Sequence, residues 1–308
     1  MSASMQIRDT DPERDVDELV ELTREAEPLT LMNAAAWLHR ERAVPERAGL
    51  RAFVAEVDGR VVGESWAVRA WFGRDRTLVY VAVREHARRR GIGSALYDAA
   101  AEHARSLGAA RLSSAFHENG AGVAFALAHG FAEARAERLS SVDPRTVTER
   151  PRAELRPASE VDPHVLHRID EETARDMPQL DEPEPHPYDE WAEHVLANPL
   201  YQPDGSFVAY ADGEPAALSL LVADLESGRG GNMYTGTLAE FRGRRLGLAA
   251  KLGSLRWAAE HGVTQVVTLN DETNAPMLAI NRRLGYRPAG RRVEYVTVPG
   301  TSHFANGA

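Results

Sequence analysis

Residues 77–108 read TLVYVAVREHARRRGIGSALYDAAAEHARSLG, and this stretch decides the fold. Thr77 to Val83 is a short run rich in β-branched and aromatic residues, which predicts a strand. Ile92, Ala95, Leu96, Ala99, Ala100, Ala104 and Leu107 then recur at helical spacing up to Gly108, which predicts an amphipathic helix. Between them lies a basic turn, Arg88-Arg89-Arg90-Gly91-Ile92-Gly93. Glycines place no side chain between the backbone and a bound anion, and they accept turn geometries that other residues resist. The helix that starts there points unpaired N–H groups and its positive dipole end at the same spot. A strand, a basic glycine turn and a helix N-terminus together form an anion site suited to a pyrophosphate. The arginines add attraction and direct phosphate contacts. A basic turn with this spacing also occurs in ordinary solvated loops.

Working outward, residues 5–9 read as an opening strand, and 14–26 and 30–48 as helices. Asp58-Gly59 sits between RAFVAEV and RVVGESWAVRAW as a hairpin turn. RLSSAF, a helix closed by Gly130-Phe131 and a strand pair near RAERLSSV follow. Residues 143–156 lack an apolar period and read as a connection. The order then repeats. AELRPAS resembles the opening strand, Asp212-Gly213 separates SFVAYA from EPAALSLLVA, and NMYTGTLA leads into EFRGRRLG. A helix, QVVTLN, APMLAINRR and Gly285-Tyr286 complete the second list. Such a repeat over 308 residues predicts two domains, 1–147 and 148–308. Their fold class is α/β, a mixed sheet with helices packed on its faces.

Composition narrows the function. No cysteine is present, so thiolate metal sites and a cysteine nucleophile are excluded. The 11 histidines are scattered without metal-ligand spacing, and no metal is expected. A net charge of −10 argues against a general nucleic-acid binder. No apolar run approaches a membrane span, and the first residues carry no leader pattern, so a cytoplasmic protein is expected. Lys251 is the only lysine, which fits the codon bias of a GC-rich genome.

The turn and its setting resemble the GCN5-related N-acetyltransferase (GNAT) superfamily, whose Q/RxxGxG/A signature occupies this strand-to-helix turn and holds the pyrophosphate of CoA. Arg88, Gly91 and Gly93 match it, and Val81-Ala82-Val83 stand where the family's strand splays to take the pantetheine arm. Asn119 lies eleven residues before Gly130-Phe131, as in the family, and Asn274 repeats that spacing before Gly285-Tyr286. The resemblance implies two tandem acyl-CoA N-acyltransferase domains, a layout similar to that of mycothiol synthases. It implies acetyl-CoA as donor, held in the first half by Val81, Ala82, Val83, Arg88, Arg89, Arg90, Gly91, Ile92, Gly93 and Asn119. In the second half the matching positions are Thr237, Leu238, Arg242, Gly243, Arg244, Arg245, Leu246, Gly247 and Asn274. Arg245 falls where the family has its first glycine. A non-Gly residue with positive φ there costs on the order of 1 kcal/mol, or the backbone shifts. A register two residues on reads Arg244, Gly247 and Ala249 instead, at the expense of the strand alignment.

The residues that move protons are less evident. The family's usual acid is a Tyr four residues before the Gly-Phe pair, and Ala126 and Asn281 hold those positions. Candidate bases are Glu64, His117 and Glu118 in the first half and Asp224, Glu226 and Tyr234 in the second. Each of them also reads as a loop or strand-end residue. Strand N–H groups near Val83 and Leu238 would stabilise the oxyanion, as the resemblance implies. The acidic run Asp170 to Glu190 could attract a cationic acceptor or simply be solvated. Trp66, Trp71, Trp191, Tyr201 and Trp257 read as packing aromatics.

The leading expectation is an enzyme that moves an acetyl group directly from acetyl-CoA to a primary amine of a small molecule. The chain would act as a monomer with pseudo-dimeric halves or as a homodimer, without nucleic acid or membrane partners. The rivals are a non-catalytic CoA-binding or scaffolding protein, and a chain with one active and one structural half. A dinucleotide-binding fold would carry its glycine turn after the first strand, and here the turn follows the fourth.

Overall fold

A computed structural model of the chain describes residues 5–70, 76–178, 180 and 185–297. The chain divides into two compact units, Met1–Ala136 with Arg291–Ala308, and Glu137–Gly290. In the first unit β1 (Met5–Asp9), α1 (Pro12–Ala26), α2 (Ala34–Ala43), β2 (Arg51–Val57), β3 (Arg60–Arg69), β4 (Thr77–Val83), α3 (Ile92–Ser106), β5 (Leu112–His117), α4 (Gly120–Ala128) and the start of β6 (Phe131–Val142) follow in order. The rest of β6 opens the second unit, before β7 (Glu154–Pro157), α5 (Pro163–Ala174), α6 (Tyr188–Val195), β8 (Phe207–Ala211), β9 (Glu214–Asp224), β10 (Arg229–Thr237), α7 (Leu246–Glu260), β11 (Gln265–Asp271), α8 (Ala275–Arg283) and the first residues of β12 (Arg287–Thr297). Both units are therefore mixed α/β, as the element order predicts.

The division differs from a single cut between 147 and 148, because each half lends its last strand to the other unit. Glu137–Val142 of β6 pair antiparallel with β11, while Arg292–Val296 of β12 pair antiparallel with β5. Val293 and Tyr295 are buried in the first unit's core beside Tyr97, Leu112 and Phe131. Val142 is buried in the second unit's core with Leu221, Leu252 and Val266. Fully burying one such side chain is worth about 1.5–3 kcal/mol, so the lent strands are integral to their host cores.

Local chemistry explains the elements. Asp11 caps α1 through a bond from the Arg14 N–H, and Pro12 stands in its first turn, where a missing N–H costs nothing. The helix expected over 30–48 is shorter: Asn33 caps α2, accepting from the Ala36 N–H, and Val44-Pro45 ends it. Asp58-Gly59 and Asp212-Gly213 all have positive φ, which is the backbone of a tight hairpin turn between twisted strands. The expected strand pair near RAERLSSV is one long strand, β6. Of the aromatic residues, Trp71 lies outside the described residues, and Trp191 packs in the second unit's core. No helix among the described residues is long and apolar enough to cross a membrane.

In the first unit the strand order is β1-β2-β3-β4-β5-β12. β4 and β5 are parallel and pair only at Thr77 with Leu112 and Leu78 with Ser113. Beyond Leu78 the two strands diverge, and the edge of β4 that faces β5 keeps backbone groups without a ladder partner. In the second unit, where the order is β6-β11-β10-β9-β8-β7, the equivalent parallel pair β10 and β11 stays joined over four residue pairs, to Asn232 with Thr268.

Candidate active site

The turn that leaves β4 ends at Gly91, the N-cap of α3, with φ 81° and ψ −7°. A Cβ at Gly91 would meet nothing within 4 Å, so glycine serves the left-handed backbone there rather than space. Gly93 is different: a Cβ would stand 3.2 Å from the Phe125 ring, so its smallness lets α3 approach α4. The first helical bond runs from the Ala95 N–H to the Gly91 carbonyl, leaving the amides of Ile92, Gly93 and Ser94 without an intrahelical partner. Arg88 braces the turn by donating from Nε to the Val83 carbonyl at 2.9 Å.

A cavity of about 540 Å³ starts at this helix terminus and follows the open edge of β4. Val81, Ala82, Val83, Arg88, Arg89 and Gly91 line it, as do Gly93 and Asn119, and Glu27 and Tyr80 are also in its wall. The residues expected to hold CoA in this half thus gather around one channel, except Arg90, which does not line it, and with two further qualifications. Ile92 turns its side chain into the core and can offer only its amide. Asn119 spends its side chain as the cap of α4, accepting from the Gly122 N–H at 2.8 Å and donating to the His117 carbonyl at 2.9 Å.

At the Glu27 side of the cavity the polar groups converge. Glu27 follows the last turn of α1, and its carboxylate accepts the His117 backbone N–H at 3.1 Å to each oxygen. The His117 Nε2 stands 3.1 Å from the same carboxylate, and the Tyr80 hydroxyl is a further hydrogen-bond partner. Burial pushes the Glu27 carboxyl up to about 7, against the lowering effect of the His117 amide and of Arg292. Burial, with Arg292 adding to it, drives the His117 imidazole down to about 4. The contact at neutral pH is therefore a hydrogen bond from a neutral imidazole, not an ion pair. Tyr80 stacks on Trp66 with ring centroids 5.5 Å apart, and its hydroxyl is driven well above 10 by burial and by Glu27. Glu64, 4% exposed, lies directly opposite Ala82 in the β3–β4 ladder, and burial raises its carboxyl to about 7 despite the nearby Arg40.

Of the sequence candidates, His117 bonds to Glu27 in this cluster, Glu64 stands near it on β3 without lining the cavity, and Glu118 is held elsewhere. Glu118 is held by Arg291, with both carboxylate oxygens 2.9 Å from Nη1. Glu27 carried no sequence signal, because a carboxylate at a helix end beside Pro28 reads as a solvated terminus, and Tyr80 reads only as a strand aromatic.

The second unit repeats the turn with different chemistry. α7 starts at Leu246 with Arg245 as its N-cap at φ 61°, ψ 26°, so the register that keeps the strand alignment is the one the chain adopts. The backbone does not shift to accommodate Arg245. Each turn places a glycine and an arginine in the left-handed region at alternate positions, Arg89 and Gly91 in one, Gly243 and Arg245 in the other. Arg242 donates from Nε to the Thr237 carbonyl at 3.2 Å, as Arg88 does to Val83. Its other end pairs with Asp176, and Arg244 pairs with Asp212 at 2.6 Å. Leu238 and Leu246 are core residues, Gly247 packs against Thr237, and Asn274 caps α8 by accepting from the Met277 N–H.

The candidate bases of this half are not brought to that turn. Glu226 is exposed and Asp224 accepts from Ser227 in the hairpin that precedes β10. They lie at the far end of a nine-residue strand, about 30 Å from the turn. Tyr234 is half-buried, bonded to the Thr173 hydroxyl at 2.6 Å and to the Asp170 carbonyl at 3.2 Å. The acidic run is largely satisfied within the unit: Asp170 accepts the Trp191 indole N–H at 2.6 Å, Glu171 pairs with Arg175, and Glu172 with Arg168. Asp181, Glu182 and Glu184 lie outside the described residues.

The interiors of the two units diverge most. Tyr97 and Lys251 both stand six residues after the N-cap of their helices, and Ala126 and Asn281 both stand seven after theirs. In the first unit Tyr97 and Ala126 line the cavity. In the second, Lys251 is 1% exposed and donates to Asn281 Oδ1 at 2.7 Å and Thr268 Oγ1 at 3.3 Å. Asn281 passes the chain on to Asn270 at 2.6 Å, and the ammonium sits 4.8 Å from the centre of the Tyr286 ring. Burial pushes the lysine down to about 7.

Residues 16–131 match the model of the acetyltransferase (GNAT) family. Comparison with curated proteins by sequence finds no match. Among solved structures, a tandem GNAT protein from the clavulanic acid biosynthesis pathway superposes with a TM-score of 0.75 at 21% identity, over 97% of this chain and 100% of that one. A GCN5-related N-acetyltransferase from Sphaerobacter thermophilus gives 0.70 at 17% identity, over 95% of each chain. Saccharomyces cerevisiae N-myristoyltransferase, solved with bound myristoyl-CoA, gives 0.66 at 11% identity, over 96% of this chain and 79% of that one. Residues 16–131 thus match the GNAT family by sequence, and the chain as a whole has the tandem GNAT fold.

Proposed function

We propose that the first unit transfers the acetyl group of acetyl-CoA to a primary amine of a small molecule by direct attack in a ternary complex, and that the second unit is a structural half. The carrying observation is the channel that runs from the α3 N-terminus along the open edge of β4 and has Glu27 and Tyr80 in its wall. The pyrophosphate fits the unpaired amides and dipole of α3, with Arg88 and Arg89 beside it. The pantetheine amides fit the free backbone groups of β4, as an added strand would. Glu27, a carboxylate with a pKa of about 7, takes the proton from the acceptor ammonium. The free amine attacks the thioester carbonyl, and an N–H on the open edge of β4 stabilises the oxyanion. Collapse breaks the C–S bond, and the attacking nitrogen gives its second proton to water to leave the neutral amide. With Ala126 at the family's acid position, the thiolate departs unassisted, which a thiol of pKa about 8.5 allows near neutral pH.

Lys251 favours the one-active-half reading over two equal sites. Its side chain and Asn281 fill the second unit where Tyr97 and Ala126 border the channel of the first. Isothermal titration with acetyl-CoA is expected to give one molecule per chain, and thiol release with an amine library is expected to show turnover. Two equivalent sites would remove the assignment of halves, and saturable binding without thiol release would leave a CoA-binding protein.

A further inference from the structure

Glu64 has no hydrogen bond or ion pair among the described residues, although it is 96% buried by its 4% exposure. A buried carboxylate without a partner carries a desolvation cost that a folded chain normally removes. Its one cationic neighbour, Arg40, is engaged elsewhere, donating to Glu41 at 3.3 Å and lying over the Trp37 ring. Glu41, itself raised by burial, and Glu27 add negative potential at Glu64.

The β3–β4 ladder fixes where this carboxylate stands. Glu64 is opposite Ala82, and Trp66 is opposite Tyr80. Directly opposed residues share a sheet face, and residues two apart on a strand share it too. Ala82 and Tyr80 pack with the residues of α1 and α2, so Glu64 and Trp66 project to that same side. Tyr80 and Ala82 also line the donor channel, and Tyr80 bonds to Glu27. Along the sheet, Glu64 is therefore two residues, about 7 Å, from the level of Tyr80, beside the place assigned to the reacting amine.

We infer that the acceptor carries a second cationic group, which Glu64 binds while the first amine is presented at Glu27, so that the substrate class is a diamine or an amine bearing another basic group. Tyr80, which lines the channel and stacks on Trp66, supplies an aromatic group that favours a cationic chain between the two carboxylates. This inference rests on the acceptor site proposed above.

The test uses the full chain saturated with CoA, so that binding is read without turnover. Titration calorimetry compares 1,4-diaminobutane with butylamine, which matches it in chain length and lacks the second charge. The diamine is expected to bind at least tenfold more tightly, and Glu64→Gln, which keeps the shape and removes the charge, is expected to bring the two amines within twofold of each other. Equal affinities in the unaltered protein, binding of neither amine, or a preference that survives Glu64→Gln overturns the inference. Thiol release from acetyl-CoA is followed separately. Turnover of both amines at equal efficiency with equal affinity overturns the second-cation site and leaves the transferase reading standing, whereas diamine-selective binding without thiol release supports the site and removes the transferase.

Discussion

Replacing Lys251 by Met removes the one lysine of the chain from a position where its charge is opposed by burial alone. An unfolded lysine titrates near 10.5 and this one near 7. At 1.36 kcal/mol per pKa unit, the folded state below pH 7 holds this ammonium at a cost on the order of 5 kcal/mol. Between about 7 and 10.5 the unfolded chain binds a proton that the folded chain does not, so stability rises with pH by about 1.4 kcal/mol per unit. Above 10.5 both states are neutral and the cost is gone. Methionine keeps the length and packs against Tyr286, but it leaves Asn281 Oδ1 and Thr268 Oγ1 without their donor. At about 1–2 kcal/mol each, the two orphaned acceptors cost about 2–4 kcal/mol together. Lys251→Met is thus expected to stabilise the second unit by about 1–3 kcal/mol at pH 7, an advantage that vanishes and then reverses as pH climbs toward 10. The assay is urea unfolding at pH 7, 8, 9 and 10, followed by tryptophan fluorescence, since Trp191 and Trp257 pack in the second unit's core. A difference between variant and parent that stays constant across this range would refute the reasoning. So would a loss of more than 2 kcal/mol at pH 7, because the neutral hydrogen-bond chain would then be holding the charge comfortably.

Gly91→Glu puts both a side chain in left-handed backbone and a negative charge at the phosphate end of α3, and is expected to raise the Kd of acetyl-CoA at least tenfold; Arg245→Glu, at the same position of the other turn, should leave it within twofold, and calorimetry giving equal losses would contradict the ranking of the two turns. For the base, kcat/KM is expected to rise with pH through about 7 as Glu27 loses its proton. Glu27→Gln should flatten that profile and lower kcat by about 100-fold or more, while a variant that keeps the parent's pH profile would assign the base elsewhere. Asn119→Ala removes the α4 cap and is expected to cost the first unit about 1 kcal/mol in thermal unfolding; no change in Tm would mean that water replaces the cap.

What the sequence disclosed follows period and turn chemistry. The strand-turn-helix at 77–108, both Asp-Gly hairpins and the two capping asparagines are local in sequence, and local rules read them. The partner of a terminal strand is not local. β6 and β12 alternate in the same way whichever edge they join, so nothing in their period tells that Glu137–Val142 pair with β11 and Arg292–Val296 with β5. The site divides in the same manner. The turn proposed to hold pyrophosphate is readable because its residues are consecutive, whereas Glu27, Tyr80 and His117 come from three elements and meet only through the sheet. Arg245 looked like a defect in sequence, yet the structure shows an arginine and a glycine exchanging places between two turns of one backbone shape.

The lent strands make each unit depend on chain from the other half. Glu294, seven residues into the C-terminal strand β12, is the carboxylate to which Arg76 and Ser113 of the first unit bond. The sheet of the first unit is therefore complete only once β12 has been made, so a truncation before Arg287 is a lesion of that unit. A fragment ending at residue 147 would expose the flank of β5 and strand β6 without β11. Cutting the chain between 147 and 148 therefore leaves neither piece with its whole sheet, because each unit draws one strand from across that cut.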